Sequence, residues 1–463
     1  MSATVVTRVS LWPRPSCRRR KAPRGKRLNI DTERMILRSA RRLHFGDLMP
    51  TPVVTAAGHS QAYEVTAASI RSVLGKVPIT RVFDITPLDR IGVPVWSAVT
   101  PLAQDLTVHT GKGLNHLSSR LSAVMEAIER VSAEGLAEDL VFSESYKSLG
   151  NSCRLIQPLD PELFQLPFKT RYQPDTPITW TIGFDLLAQH HCFVPRDVIV
   201  SPARNEICLG PETNGLASGG TFTEAVVHAL YEIIERDAVS VEEFCALHTD
   251  ADDQLRPPLR LIDLATLPDF VRQIARRIMD AGIDVRIQDV TSTAGVPAYC
   301  AFLIDRPRRR FESSDLIFEG SGADLDASRA VTRAIIEAAQ AHTAFFAGAR
   351  DTFEGMQQRK PRLATRRRYA SIIAGTDAKP FRGESFASDD LLQDLGLLLE
   401  RIMADGLQHC VVADLTDALL HVPTVRVVVP GLAGGYGQTR RRPTPRLLRH
   451  LIPYLQSDVR RLS

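Results

Sequence analysis

No two of the seven cysteines (Cys17, Cys153, Cys192, Cys208, Cys245, Cys300, Cys410) stand at CxxC spacing, which excludes the common zinc and iron–sulfur frameworks by pattern. Thiols scattered in this way fit a reduced, cytoplasmic protein. His190-His191-Cys192 and His409-Cys410 look like ligand groups, yet neighbours on a strand point to opposite faces and converge poorly on one ion. No GxxxxGK[ST] segment occurs, so a P-loop is excluded too. No stretch approaches the ~18 apolar residues of a membrane span. No apolar core follows the basic N-terminal run, so neither a membrane anchor nor a secretory signal is expected.

What is present is a chain of 463 residues with 44% hydrophobic content, enough to bury a large core and two or three subdomains. Its net charge of +4 hides an asymmetry: residues 1–43 hold thirteen Arg and Lys against Asp31 and Glu33, so the remainder is acidic. Arg18-Arg19-Arg20-Lys21 among Pro13, Pro15, Pro23 and Gly25 predicts a basic disordered tail over 1–43, in preference to a nucleic-acid arm. Residues 44–463 are expected to fold. A second basic run, RKPRLATRRR at 359–368, reads as solvated surface or as a contact for an acidic peptide or partner.

The informative stretch is Thr221 to Ser240, TFTEAVVHALYEIIERDAVS. Its apolar residues recur at helical spacing. Glu224, Glu232 and Glu235 interrupt them, and at ~100° per residue all three share one side of the helix. A similar pattern occurs at Met125-Glu126-Ala127-Ile128-Glu129-Arg130, matching Tyr231 to Arg236. A third helix, Arg333 to His342, sets Glu337 and Gln340 at the same three-residue step. A lone ExxER is usually a solvated face. Three such helices with acids beside apolar positions suggest one site built around cations, because clustered carboxylates repel unless compensated. An oxygen-only cluster suits Mg2+ shared with substrate phosphates, which makes a nucleotide site the sharper reading.

Other segments fit an α+β chain. Val93 to Val99 reads as a buried strand. Gly111-Lys112-Gly113 frees the backbone around a lysine just before a helix over about 117–137, where Ser122 lies one turn before Glu126. Residues 151–201 read as a β-rich insert, 259–301 as alternating helix and strand, and 410–415 and 424–429 as strands. The glycine-containing Asn214 to Gly220 leads into the central helix, whose N-terminus is an anion site.

At these residues the chain resembles the YcaO family. Thr110-Gly111-Lys112-Gly113, Ser122-x3-Glu126-x2-Glu129-Arg130, Asn214 to Gly219, Glu232-x2-Glu235-Arg236-Asp237 and Glu337-Ala338-Ala339-Gln340 stand in the family's order. Gly348 to Asp351, Asp414-Leu415-Thr416 and Val429 to Leu432 follow. The resemblance covers about 79–431, and each motif gains specificity from the ordered set. It implies a YcaO-type fold of mixed β-sheets packed with helices, two of which carry the repeated ExxER. It further implies ATP and Mg2+ as cofactors, with Glu126, Glu129, Glu232, Glu235 and Glu337 at the metals. Lys112, Ser122, Glu224, Arg236, Arg333 and Gln340 are then nucleotide contacts. The implied activity is ATP-dependent activation of a backbone amide in a ribosomally made peptide, giving azolines or thioamides. An accessory role in ribosomal-protein methylthiolation and a non-catalytic scaffold stay open. Three departures bear on this: Thr100-Pro101 where Arg-Pro is usual, Gly220 where Asn is common, and His342 in place of an arginine. The end of the chain has only Pro443-x-Pro445, so it looks more like members that work with a TfuA-like partner than like those ending in Pro-x-Pro-x-Pro. A homodimer is expected, with no nucleic-acid partner.

Overall fold

Three strand–helix units, each closed by glycine, set the architecture. The computed structural model describes residues 33–34, 36–37, 48–450 and 452, leaving out within that span 137–139, 165, 168–169, 204–212, 249–258, 307–315, 349–362 and 435–441. Helix α1 (Tyr63–Val73) precedes a three-stranded antiparallel sheet of β1 (Arg81–Asp84), β2 (Val95–Val99) and β3 (Val108–Lys112). Helix α2 (His116–Ser132) follows β3 and packs back on it. Asn115 and Ser118 close its N-terminus with a reciprocal capping box.

The next strands are β4 (Phe142–Ser145), β5 (Gln157–Pro158), β6 (Pro177–Asp185), β7 (His190–Pro195) and β8 (Leu216–Ser218), with α3 (Tyr146–Ser152) after β4. They share a seven-stranded sheet with β14 (Val411–Asp414) and β15 (Thr424–Val428). The stretch read as an insert is therefore not a separate body, because β6 pairs with both β7 and β14. Central helix α4 (Phe222–His248) leaves β8, its start capped by the Thr221 hydroxyl accepting from the Glu224 N–H at 3.1 Å. One wall of its core is the seven-stranded sheet and the other is α8 (Leu391–Ala404).

A five-stranded sheet holds β9 (Leu261–Ile262), β10 (Asp284–Asp289), β11 (Ala298–Asp305), β12 (Leu316–Ala323) and β13 (Ala378–Lys379). Helices α5 (Asp269–Asp280) and α6 (Ala327–Phe346) cover one face, with α7 (Leu363–Ala374) near the other. Short helix α9 (Pro445–Arg449) ends the described chain.

Glycine lets helices ride directly on strand backbone. A Cβ on Gly111 of β3 would lie 2.0 Å from the Ala123 nitrogen of α2, and one on Gly320 of β12 would lie 2.1 Å from the Ala338 nitrogen of α6. Only glycine permits either approach. Because neighbours on a strand point to opposite faces, seating Gly111 on α2 and Gly320 on α6 turns the next residues outward, Lys112 toward Glu337 of α6 and Ser321 toward Glu235 of α4.

Part of the expected tail is packed. Glu33 is 1% exposed, and its carboxylate accepts from the backbone N–H groups of Leu155 at 2.7 Å and Ile156 at 3.1 Å. Ile36 lies in the core under the seven-stranded sheet. Apart from Arg34 and Leu37, the rest of the tail lies outside the described residues, as do 359–362 of the second basic run and Ala349-Arg350-Asp351. That run is not all solvated surface: Arg368 on α7 is buried and ion-paired with Glu319 of β12.

Candidate nucleotide and metal site

The three acid-bearing helices converge. Glu126 and Glu129 come from α2, Glu232 and Glu235 from α4, and Glu337 from α6. The Glu235 carboxylate accepts from Ser321 Oγ on β12 at 2.6 Å, and Glu337 is ion-paired with Lys112 at the end of β3. Glu129 accepts from Ser218 Oγ on β8 at 3.4 Å. In both ExxER segments the arginine reaches back one turn: Arg130 lies 3.8 Å from Glu126 and Arg236 lies 3.6 Å from Glu232.

Crowding perturbs the acids as like charges should. Burial pushes Glu232 up to about 7; Glu235 and Glu337 add repulsion, while Arg236 and Arg426 oppose it. Burial, then Glu232 and Glu126, push Glu129 well above the usual carboxylate range. Burial and Glu337 raise Glu235. Glu337 itself falls below the usual range, because Lys112 and Arg236 outweigh its burial. Such a set is strained by its own charge, and a divalent cation relieves that strain. The donors are all oxygens, with Lys112, Arg236 and Arg426 interleaved as counter-charges for phosphate, so the residues present fit Mg2+ and a nucleotide.

Other expected residues sit at the margin. Ser122 is half-buried one turn before Glu126. Arg333 acts electrostatically on Glu235 from one side and on His228 from the other. Gln340 donates its amide to the Thr110 carbonyl and, at 3.0 Å, to Thr110 Oγ1, so it ties α6 to the strand bearing Lys112. Glu224 stands apart from the acid cluster. Its oxygens already accept from His59 Nδ1 at 2.9 Å, from Gly220 N at 3.1 Å, and from Ser60 N and Oγ.

Sequence reasoning missed Arg426. It is fully buried on β15, donates to the Ile199 and Asn214 carbonyls at 3.0 and 2.8 Å, and is drawn electrostatically to Glu232 and Glu129. Burial lowers it to about 10 even so. A lone arginine in the apolar strand Thr424–Val428 was the available signal, since buried charge needs a partner. The hydroxyls of Ser218 and Ser321 gave no comparable signal.

The three departures have structural accounts. Thr100 shares a 2.7 Å hydrogen bond with His109 Nε2 in the interior. At Gly220 a Cβ would meet Gln61 at 3.0 Å and Glu224 at 3.2 Å, so the Gln61 side chain occupies that space. His342 has both ring nitrogens engaged inside the core. It is fully buried, with Nδ1 2.9 Å from Asp89 and Nε2 3.2 Å from Asp305, and it joins the loop after β1 to the end of β11.

The sequence matches the YcaO family, described as YcaO cyclodehydratase, ATP- and Mg2+-binding, over residues 110–433. This chain belongs to the YcaO family. Membership makes ATP and Mg2+ its cofactors and places it among ATP-dependent enzymes. It is 32% identical to an uncharacterized protein in the tfuA 3′ region of Rhizobium leguminosarum bv. trifolii, over 84% of this chain and 92% of the relative. A protein of Methanothermobacter thermautotrophicus is also 32% identical, over 78% of this chain and 91% of its own length. Among solved structures, the YcaO protein of Methanopyrus kandleri bound with AMPPCP and Mg2+ shares the fold at TM-score 0.65 and 24% identity, covering 85% of this chain and 98% of that one. A heterocyclase in complex with substrate and cofactor aligns at TM-score 0.67 and 20% identity over 88% of this YcaO protein, which spans only 57% of that chain. The expected α+β fold is thus the family's fold. Among the described residues, no helix is long and apolar enough to cross a membrane.

Proposed function

We propose that this YcaO protein uses ATP to activate a backbone amide of a ribosomally made peptide, yielding an azoline or a thioamide. The observation that carries the reading is the convergence of Glu129, Glu232, Glu235 and Glu337 from three helices, with Lys112, Arg236 and Arg426 between them. Glu126 joins these four as the metal-holding set. Lys112, Ser122, Arg236 and Arg333 face the phosphates, and Gln340 fixes the strand that presents Lys112. Bound Mg2+ supplies charge neutralisation as the phosphoryl group moves.

The chemistry balances without another oxidant or reductant. A Cys, Ser or Thr side chain, or a sulfide donor, attacks the amide carbon, and the C=O electron pair moves to oxygen. That oxyanion takes the γ-phosphoryl group and ADP leaves. The C–O bond then breaks to release phosphate. Loss of the N–H proton gives the C=N of an azoline, and loss of the S–H proton gives the C=S of a thioamide. Lys112 and Arg236 neutralise charge that grows on the transferring oxygens. Similarity to the protein of the tfuA 3′ region supports a TfuA-like partner.

The test is phosphate release from Mg-ATP with and without a precursor peptide, alongside peptide mass. Peptide-stimulated turnover with loss of one water, or exchange of oxygen for sulfur, is expected, and Glu235→Gln should reduce turnover by about 100-fold or more. Turnover indifferent to peptide and to Glu235→Gln would sink the reading.

A further inference from the structure

The two ExxER segments are alike in sequence, yet their arginines are placed differently. Arg236 on α4 is 43% exposed and acts electrostatically on Glu232, Glu235 and Glu337. Arg130 on α2 is 16% exposed and turned away from its own glutamate. It donates to Asp105 Oδ2 at 3.1 Å, against 3.8 Å to Glu126. Asp105 comes from the loop between β2 and β3, before α2 begins.

Neighbouring contacts fix that loop on the end of α2. The Gln104 N–H donates to Glu134 Oε1 at 2.6 Å, and its side-chain amide donates to Oε2 at 3.2 Å. Ser201 donates its N–H to the Ala133 carbonyl at 2.9 Å and its hydroxyl to Asp105 Oδ2, also at 2.9 Å. One carboxylate oxygen therefore accepts from an arginine and a serine together, which sets its direction from two sides.

The local charge balance gives this contact a consequence. Arg130 and Arg426 both draw on Glu129, and the charge of Asp105 reaches Arg426 as well. Without Asp105, the guanidinium would gain by closing the remaining gap to Glu126, because attraction grows as the separation falls. Its Nε, buried with no hydrogen-bond partner among the described residues, favours the same move. A glutamate paired with arginine holds a divalent cation less well, since the guanidinium takes its oxygens and sets a like charge beside the metal.

We infer that Asp105 is a positioning residue for the metal site, drawing the Arg130 guanidinium off Glu126 and leaving that carboxylate to the cation. This role rests on Glu126 binding metal, as in the function proposed above. It also gives the two arginines different work: Arg236 is left to face phosphate, and Arg130 is held out of the site.

The test measures Mg-ATP affinity of the full chain by calorimetry, with melting temperature alongside. Asp105→Asn keeps an acceptor for Ser201 but loses the charge, and should weaken binding about 10-fold or more. Asp105→Glu keeps the charge and should retain most of the affinity. Adding Arg130→Gln to Asp105→Asn removes the released guanidinium and should recover most of the loss, which a merely structural role for Asp105 would not allow. Unchanged affinity in Asp105→Asn, or a loss that persists in the double variant, overturns the inference. Glu235→Gln in the same assay separates this role from the site itself. If it lowers affinity while Asp105→Asn does not, only the role of Asp105 fails; if neither lowers it, the metal site is misassigned.

Discussion

Replacing Glu232 by glutamine should make the metal-free protein more stable and Mg-ATP binding weaker, two effects of opposite sign from one carboxyl. In the folded chain this group titrates at about 7 against an ordinary 4.5. A folded value raised in this way gives stability that is fully present below 4.5 and lost as pH climbs through 7. At 1.36 kcal/mol per pH unit, ionised Glu232 costs the metal-free fold about 3 kcal/mol by pH 8. Water at its 23% exposed side chain brings the figure toward about 2 kcal/mol. Glutamine copies the neutral acid in shape at every pH. Metal-free Glu232→Gln should therefore melt several degrees higher than the parent at pH 8 and nearly level with it at pH 5. Mg-ATP prefers the ionised acid, so parental affinity should rise as pH climbs through 7, with proton release visible as buffer-dependent binding heat. The variant should lose both features. A parent whose metal-free melting temperature does not fall between pH 6 and 8, or a variant no more stable at pH 8, would refute the account of the cluster as self-repelling.

Three further outcomes follow from buried groups. Glu33→Ala leaves the Leu155 and Ile156 N–H groups without their acceptor and should cost about 2–4 kcal/mol in a denaturant titration, so deleting residues 1–42 should destabilise the fold. His342→Arg restores the family's usual residue but puts a longer side chain between Asp89 and Asp305; calorimetry should show no gain in ATP affinity, with a lower melting temperature. Ending the chain at Thr444 should lower the melting temperature sharply, because it removes buried Leu447 and Arg446, which is ion-paired with Asp237 of α4 and with Asp405.

Local sequence determined the elements and which residues could be acidic neighbours. Helical spacing located α2, α4 and α6, and the stripe rule put Glu224, Glu232 and Glu235 on one side of α4, because a helix converts sequence step directly into angle. Apolar runs located β2, β14 and β15 to within a few residues. Which of these groups meet was decided only in three dimensions. Glu224 shares its stripe with Glu235, yet the His59 loop, brought in from 165 residues away, takes up its oxygens. His342 follows Gln340 by two positions but turns into the core, since two residues along a helix point about 200° apart. Arg426 lies nearly 200 residues after Glu232 and nearly 300 after Glu129, and the pairing of β15 with β8 brings it to them. Segment 151–201 contains β5, β6 and β7, and its place in the sheet depends on β14, more than 200 residues after β6. Spacing along a chain fixes direction only within one element. Between elements, sheet pairing and the glycine contacts that let α2 and α6 lie on their strands decide which charges come together.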